Sequence, residues 1–213
     1  MDYEVVGYQE HKSVRLGPIT SNSKATQAAI VLLPDKIVSE ELPLPPSGDY
    51  LYFSGSGDEL SNSMSLDVTI PSGTVSLSAE VWFDIETHWD YAYVLINGAP
   101  LSTSVSTTDN PNGQNFGYGI TGSSGGWTTL SADLSAYSGQ TVTLEFFYWT
   151  DAYVVNPGFF VDDIFIGGSL IDDAETEGTP AWEFNGFERL NAGAGTIEKP
   201  YRNYYLAEYR TYR

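Results

Sequence analysis

Carboxylates are the groups in this sequence whose spacing could do chemistry. The run Asp84-Ile85-Glu86-Thr87-His88-Trp89-Asp90-Tyr91 sets three acids around the point where one strand-like segment ends and the next begins. Hard oxygen donors at such a junction suit calcium, which takes six to eight oxygens at about 2.4 Å, backbone carbonyls among them. Asp162 and Asp163 stand side by side at the start of a later strand. By strand parity they point to opposite faces, so both reach one ion only through a bulge. Asp162 shares parity with Ile164 and Ile166 and is expected to be buried, where an acid without a cation is costly. Asp84, Glu86, Asp90 and Asp162 are therefore the expected ligands of one structural calcium ion. Asp109-Asn110-Pro111-Asn112-Gly113 has a similar composition but reads more simply as a turn.

Other chemistries fail for lack of parts. The two histidines, His11 and His88, are far too distant in sequence for the His-Glu-x-x-His helix of a zinc peptidase. With no cysteine there is no thiolate zinc site and no thiol nucleophile. Gly122-Ser123-Ser124-Gly125-Gly126 matches the spacing of a nucleophile elbow, but Trp127 opens another strand where that motif needs a helix. Glu86 and Asp90 could be imagined as a glycosidase pair, yet nothing else frames a sugar cleft around them. No catalytic residue is expected in this chain.

The charge balance is 28 acids against 9 bases, a net −19, which argues against nucleic acid or an anionic membrane as partner. From Ile37 to Glu188 there is no Lys or Arg at all. A folded region so acidic must spread its carboxylates over solvent or neutralise some with metal ions. No stretch approaches the ~20 apolar residues of a membrane span. Nor does a basic region followed by an apolar run mark a leader, so Met1 is expected to be an edge within a longer chain.

The elements that would position these acids read as strands. Leu77, Ala79, Val81, Phe83 and Ile85 alternate with polar residues, as do Val142, Leu144, Phe146 and Tyr148. Further strands are predicted over 50–54, 63–70, 91–96, 127–134 and 159–166, separated by turn signals such as Asn97-Gly98 and Asn156-Pro157-Gly158. Short strands at this spacing, each with one apolar face, call for a two-layer β-sandwich. The flanks differ: possible strands at 13–16 and 28–33, a stiff Pro-rich stretch at 42–48, and past Gly168 a stretch that is first acidic (Asp172, Asp173, Glu175, Glu177), then aromatic, then basic. The expected organisation is a sandwich over 46–169, inserted into a smaller β-module built from 1–45 and 170–213, with a linear arrangement of three segments as the competing view. Trp82 and Trp149, outward by parity or at a strand end, leave a glycan-stacking platform as a rival use of the surface.

Several strings together resemble one family, the secreted immune inhibitor A metallopeptidases of bacteria. They are LGPITSNSKATQAAIVLLPDK (16–36), YLYFSGSGDELSNSM (50–64), WFDIETHWDYAYV (82–94), TGSSGGWTTLSADLSAYSGQTV (121–142), GFFVDDI (158–164), NGFER (185–189) and YYLAEYRTY (204–212). The resemblance implies an all-β, jelly-roll sandwich of the meprin/A5/mu (MAM) type within a second β-module, following a zinc-dependent catalytic domain that this chain lacks. It implies a secreted, non-catalytic accessory region whose partner is the catalytic domain of the same polypeptide, with a protein substrate or a glycan as a further ligand. Zinc would belong to that absent domain alone, and calcium in the sandwich is common among such jelly rolls. A carbohydrate- or surface-binding module is the alternative.

Overall fold

The computed structural model describes residues 2–19, 26–194 and 196–210. Residues 20–25 and 211–212, at the resembling segments near each end, lie outside them. In chain order the strands are β1 (Tyr3–Val6), β2 (Ala28–Leu32), β3 (Lys36–Glu41), β4 (Tyr50–Phe53), β5 (Ser61–Thr69) and β6 (Ser76–Ile85). Then come β7 (Tyr91–Ile96), β8 (Ala99–Pro100), β9 (Gly122–Ser123), β10 (Thr128–Asp133), β11 (Thr141–Trp149) and β12 (Gly158–Ile166). The last are β13 (Ser169–Asp172), β14 (Glu183–Asn185), β15 (Glu188–Asn191), β16 (Thr196–Tyr201) and β17 (Tyr204–Glu208).

The chain forms two compact units, Met1–Glu40 with Glu198–Arg213, and Glu41–Ile197. In the smaller, β1 pairs parallel to β2 and β17 pairs antiparallel along the other edge of β2. The expected strand at 13–16 is irregular chain instead. A short apolar–polar alternation becomes a strand only where a neighbour offers a ladder of donors and acceptors. Here the nearby backbone bond is Gly17 N–H to the Thr26 carbonyl, 2.8 Å, beyond the segment.

The larger unit is an all-β sandwich of two antiparallel sheets. One runs β10-β6-β12-β4-β15, with β13 on β12 and β9 on β6; the other runs β14-β5-β11-β7-β8. The alternations in β6 and β11 do what their period dictates. Leu77, Val81 and Ile85 from one sheet meet Leu144, Phe146 and Tyr148 from the other in one buried cluster. Asn97 (φ 51) and Gly98 (φ 78) close the β7–β8 hairpin with two left-handed residues, as the Asn-Gly signal requires.

The composition change near 170 is not a boundary between the units. β13 extends the β12 edge, β14 pairs with β5, and β15 pairs with β4. Trp182 and Phe187 belong to the main core. Asp172, buried and 4% exposed, accepts hydrogen bonds from the Tyr52 hydroxyl (2.6 Å) and Trp182 Nε1 (2.5 Å). That tie holds the segment after β13 against β4.

Candidate metal centre

Three of the acids at one end of the sandwich converge. Glu86, Asp90 and Asp151 each bring a carboxylate oxygen within 4.8 Å of the others, the one such group of three or more His, Cys, Asp or Glu among the described residues. Two of them are on the sequence-derived list; Asp151 is not. The reason is register. In the β7–β11 ladder Tyr91 stands opposite Trp149, so the residue before β7 and the residues after β11 meet at the same rung end. The Asp151 N–H donates to Asp90 Oδ1 at 2.8 Å, joining the two strand ends directly.

The turn carrying Glu86 is pinned from several sides. Trp89 and Asp90 N–H groups donate to the Glu86 carbonyl (3.3 and 3.1 Å). His88 sits at φ 67, and the Thr121 hydroxyl accepts its N–H (3.0 Å) while donating to the Glu86 carbonyl (3.0 Å). Asn112 Nδ2 donates to the His88 carbonyl at 3.2 Å, so the Asn-rich loop serves as a brace. On the Asp151 side, Thr150 Oγ1 accepts the Leu60 N–H (2.8 Å) and donates to the Gly57 carbonyl (2.9 Å).

Arg189 is the one Lys or Arg between Ile37 and Ile197, and its guanidinium donates to the Ala174 and Glu175 carbonyls instead. Asp90 is 1% exposed. Burial, reinforced by the charges of Asp151, Glu86 and Asp58, pushes its carboxyl up to about 7 against the donated Asp151 N–H. Burial and Asp151 also raise Glu86. The Tyr148 hydroxyl is raised by burial and then by Asp90, Asp84 and Glu86. A glycosidase pair needs both carboxylates open to a sugar, and Asp90 is closed off. An all-oxygen, anionic donor set in a fixed turn fits a hard cation such as calcium.

The four expected ligands do not share one place. Asp84 stands opposite Gly158, and its Oδ1 accepts Asn156 Nδ2 at 3.2 Å, outside the three-carboxylate group. Asp162 stands opposite Glu80, four residues along β6 from Asp84, about 13 Å by strand rise. One ion cannot reach both. Asp162 is buried as expected, 1% exposed, but on the other face. It shares a face with Phe160 rather than with Ile164, because a bulge between Asp162 and Phe165 shifts the register and puts Asp163 at φ 48.

At that bulge Asp162 Oδ1 accepts the Asp163 N–H (2.8 Å), and Oδ2 is buried with no hydrogen-bond partner. Burial first, then Asp163, Glu175 and Asp173, raises the Asp162 carboxyl to about 8. Asp163 Oδ1 accepts the Ser47 hydroxyl (2.9 Å), and Glu175 Oε1 accepts the N–H groups of Asp49 and Tyr50 (2.9 and 2.8 Å). Of the five tryptophans, Trp182 is buried, Trp82 packs edge-on to Phe160, Trp149 edge-on to Phe116, and Trp127 Nε1 donates to the Leu44 carbonyl. Trp89 alone is exposed, which leaves no platform of exposed tryptophans.

Comparison with known proteins gives this architecture a family. The description "Immune inhibitor A-like, MAM domain" matches residues 12–192. Pre-pro-metalloprotease PrtV of Vibrio cholerae serotype O1 is 36% identical over 204 residues, covering 93% of this chain and 21% of the relative. Immune inhibitor A of Bacillus thuringiensis subsp. alesti is 27% identical over 212 residues, 97% of this chain and 29% of the relative. Bacillopeptidase F of Bacillus subtilis is 27% identical over 124 residues, 55% of this chain and 8% of the relative. The chain thus spans under a third of the length of each of these curated relatives, and the matched region is a non-catalytic one. No helix among the described residues is long and apolar enough to cross a membrane. With the sandwich and most of its flanks inside the match, the chain belongs to the immune inhibitor A-like MAM domain family.

Proposed function

We propose that this chain is the calcium-stabilised accessory region of a secreted bacterial zinc metallopeptidase, which supports the catalytic domain or positions its protein substrate. Calcium is assigned to Glu86, Asp90 and Asp151. The observation that carries it is three carboxylates converging at a pinned turn, in a stretch whose one Lys or Arg, Arg189, is bonded elsewhere. The partnerless Asp162 Oδ2 makes the same demand for a cation at the β12 bulge, as a second and separate position. Zinc on this reading is held by the catalytic domain of the longer polypeptide and by none of these residues. Bound calcium would supply charge compensation and tie the β6–β7 turn to the end of β11; it takes no part in bond cleavage.

Calorimetric titration of the chain with calcium after chelator treatment tests the metal. An Asp90→Asn, Asp151→Asn double variant is expected to lose the part of the binding heat that belongs to the Glu86–Asp90–Asp151 position, and wild-type titrations showing no binding up to millimolar calcium would refute the assignment. The accessory role is tested by assaying the isolated chain on casein with zinc. It should leave the substrate intact, and zinc-dependent cleavage would overturn the reading. The glycan-binding alternative has less behind it, since Trp182 is buried and Trp82, Trp127 and Trp149 are half-buried against other groups.

A further inference from the structure

One face of the three-stranded sheet is apolar and open. Cross-strand partners share a face, so register sorts the side chains. Val5, Ile30 and Leu206 form one row, Leu32 pairs with Tyr204, and Tyr3 lies on the same side as Val5. Tyr3 is 59% exposed, Leu206 58% and Tyr204 55%; Val5 and Leu32 are exposed too, and Ile30 is half-buried. At the end of this face Ala28, between Tyr3 and Glu208, is buried; on the opposite face Val6 and Ala29 are buried and Tyr205 is exposed. A contiguous exposed apolar patch of this kind marks a contact surface.

We infer that this face is where the catalytic part of the parent metallopeptidase docks, through an apolar surface of its own; this rests on the accessory reading above. Three observations choose that occupant. The unit holding the sheet has 7 acids and 8 bases, so its partner need not be charged. Self-pairing would bring together two chains of net −19, and an anionic membrane would be repelled in the same way. Lastly, alignment to PrtV takes in 93% of this chain but 21% of the relative, so the relative's remaining sequence joins near the aligned ends. The first and last strands, β1 and β17, are both in this sheet. A tethered domain meets the face at millimolar effective concentration, at which a modest apolar contact suffices.

The chain has no native cysteine, so a single Leu206→Cys reports on the face. Its maleimide labelling is measured in the isolated chain and in the full-length polypeptide that contains it, with Leu170→Cys, exposed on β13, as the control. Labelling of Leu206→Cys is expected to be at least tenfold slower in the full-length protein, while the control reacts alike in both. Equal rates in a full-length protein that cleaves casein would overturn the docking face and leave the accessory reading standing. Slow labelling already in the isolated chain would overturn it as well, showing a copy on the face if the chain sediments as a dimer and a contact within the chain if it is a monomer. Full-length protein without a zinc peptidase domain would remove the accessory reading and, with it, this inference.

Discussion

The two units handle their difficult groups in opposite ways. The sandwich, Glu41–Ile197, carries 21 acids and one base around a buried aromatic core, with Trp89, Phe116, Tyr118, Tyr153 and Phe184 exposed outside it, whereas the small unit is near neutral and shows Tyr3, Tyr204, Tyr205 and Leu206 to solvent. A large core can bury Phe146, Phe159 and Trp182 from all sides, so what it leaves unsatisfied is charge. A three-stranded sheet has too little mass to cover both its faces, so what it leaves unsatisfied is apolar area. The first deficit calls for cations and the second for a protein surface.

The largest test of this division is Trp182→Ala. If residues beyond 170 are part of the sandwich, removing this core side chain also deprives Asp172 of a donor, and the loss should be about 3–5 kcal/mol. At about 2–4 °C per kcal/mol the main melting transition should fall by roughly 10 °C. A shift confined to a separate, minor transition would return the segment to the small unit. Next in size is calcium itself. At a hundred times the Kd of the Glu86–Asp90–Asp151 position it should add about 2.7 kcal/mol to the sandwich, seen as a rise in Tm from which Asp90→Asn removes that contribution.

The pH dependence follows, with its sign set by two carboxyls raised on folding. An acid with a higher pKa in the folded state binds more protons there, so stability falls as pH climbs from its unfolded value to its folded one. For Asp90 that window runs from 3.8 to about 7, and for Asp162 from 3.8 to about 8. In chelator the sandwich should therefore melt at progressively lower temperature from pH 5 to pH 8, and calcium should flatten the slope by holding the ionised forms. A flat profile in chelator would show these acids already compensated. The smallest effect belongs to the other unit: Leu206→Ser in the isolated chain should change stability by no more than about 0.5 kcal/mol, because nothing there covers it.

Much of the sandwich was legible in the sequence because a strand's pleat is local. Leu77 to Ile85 and Val142 to Tyr148 announce their buried faces by period two, and Asn97-Gly98 announces its hairpin, with no knowledge of what lies opposite. Glu86 and Asp90 were legible for the same reason, being close in sequence across one turn. Asp151 was not, because its place beside Asp90 depends on β11 pairing with β7 in one particular register. A carboxylate next to the end of an alternating strand was the only hint.

The bulge in β12 was hidden too. One extra residue between Asp162 and Phe165 turned Asp162 from the core face to the other, where different segments bury it. Composition also misplaced the boundary at 170, since acidity and aromatic content do not record which edge a strand joins. By itself, then, the sequence determined the β class, the faces of the long strands, the acidity without counter-charge and the family resemblance, all properties of neighbouring residues or of totals. Tertiary structure alone decided which carboxylates meet, on which side Asp162 is buried, and which unit the C-terminal strands complete. Those outcomes rest on pairing between residues up to more than a hundred positions apart, and a shift of one residue in a ladder reverses them.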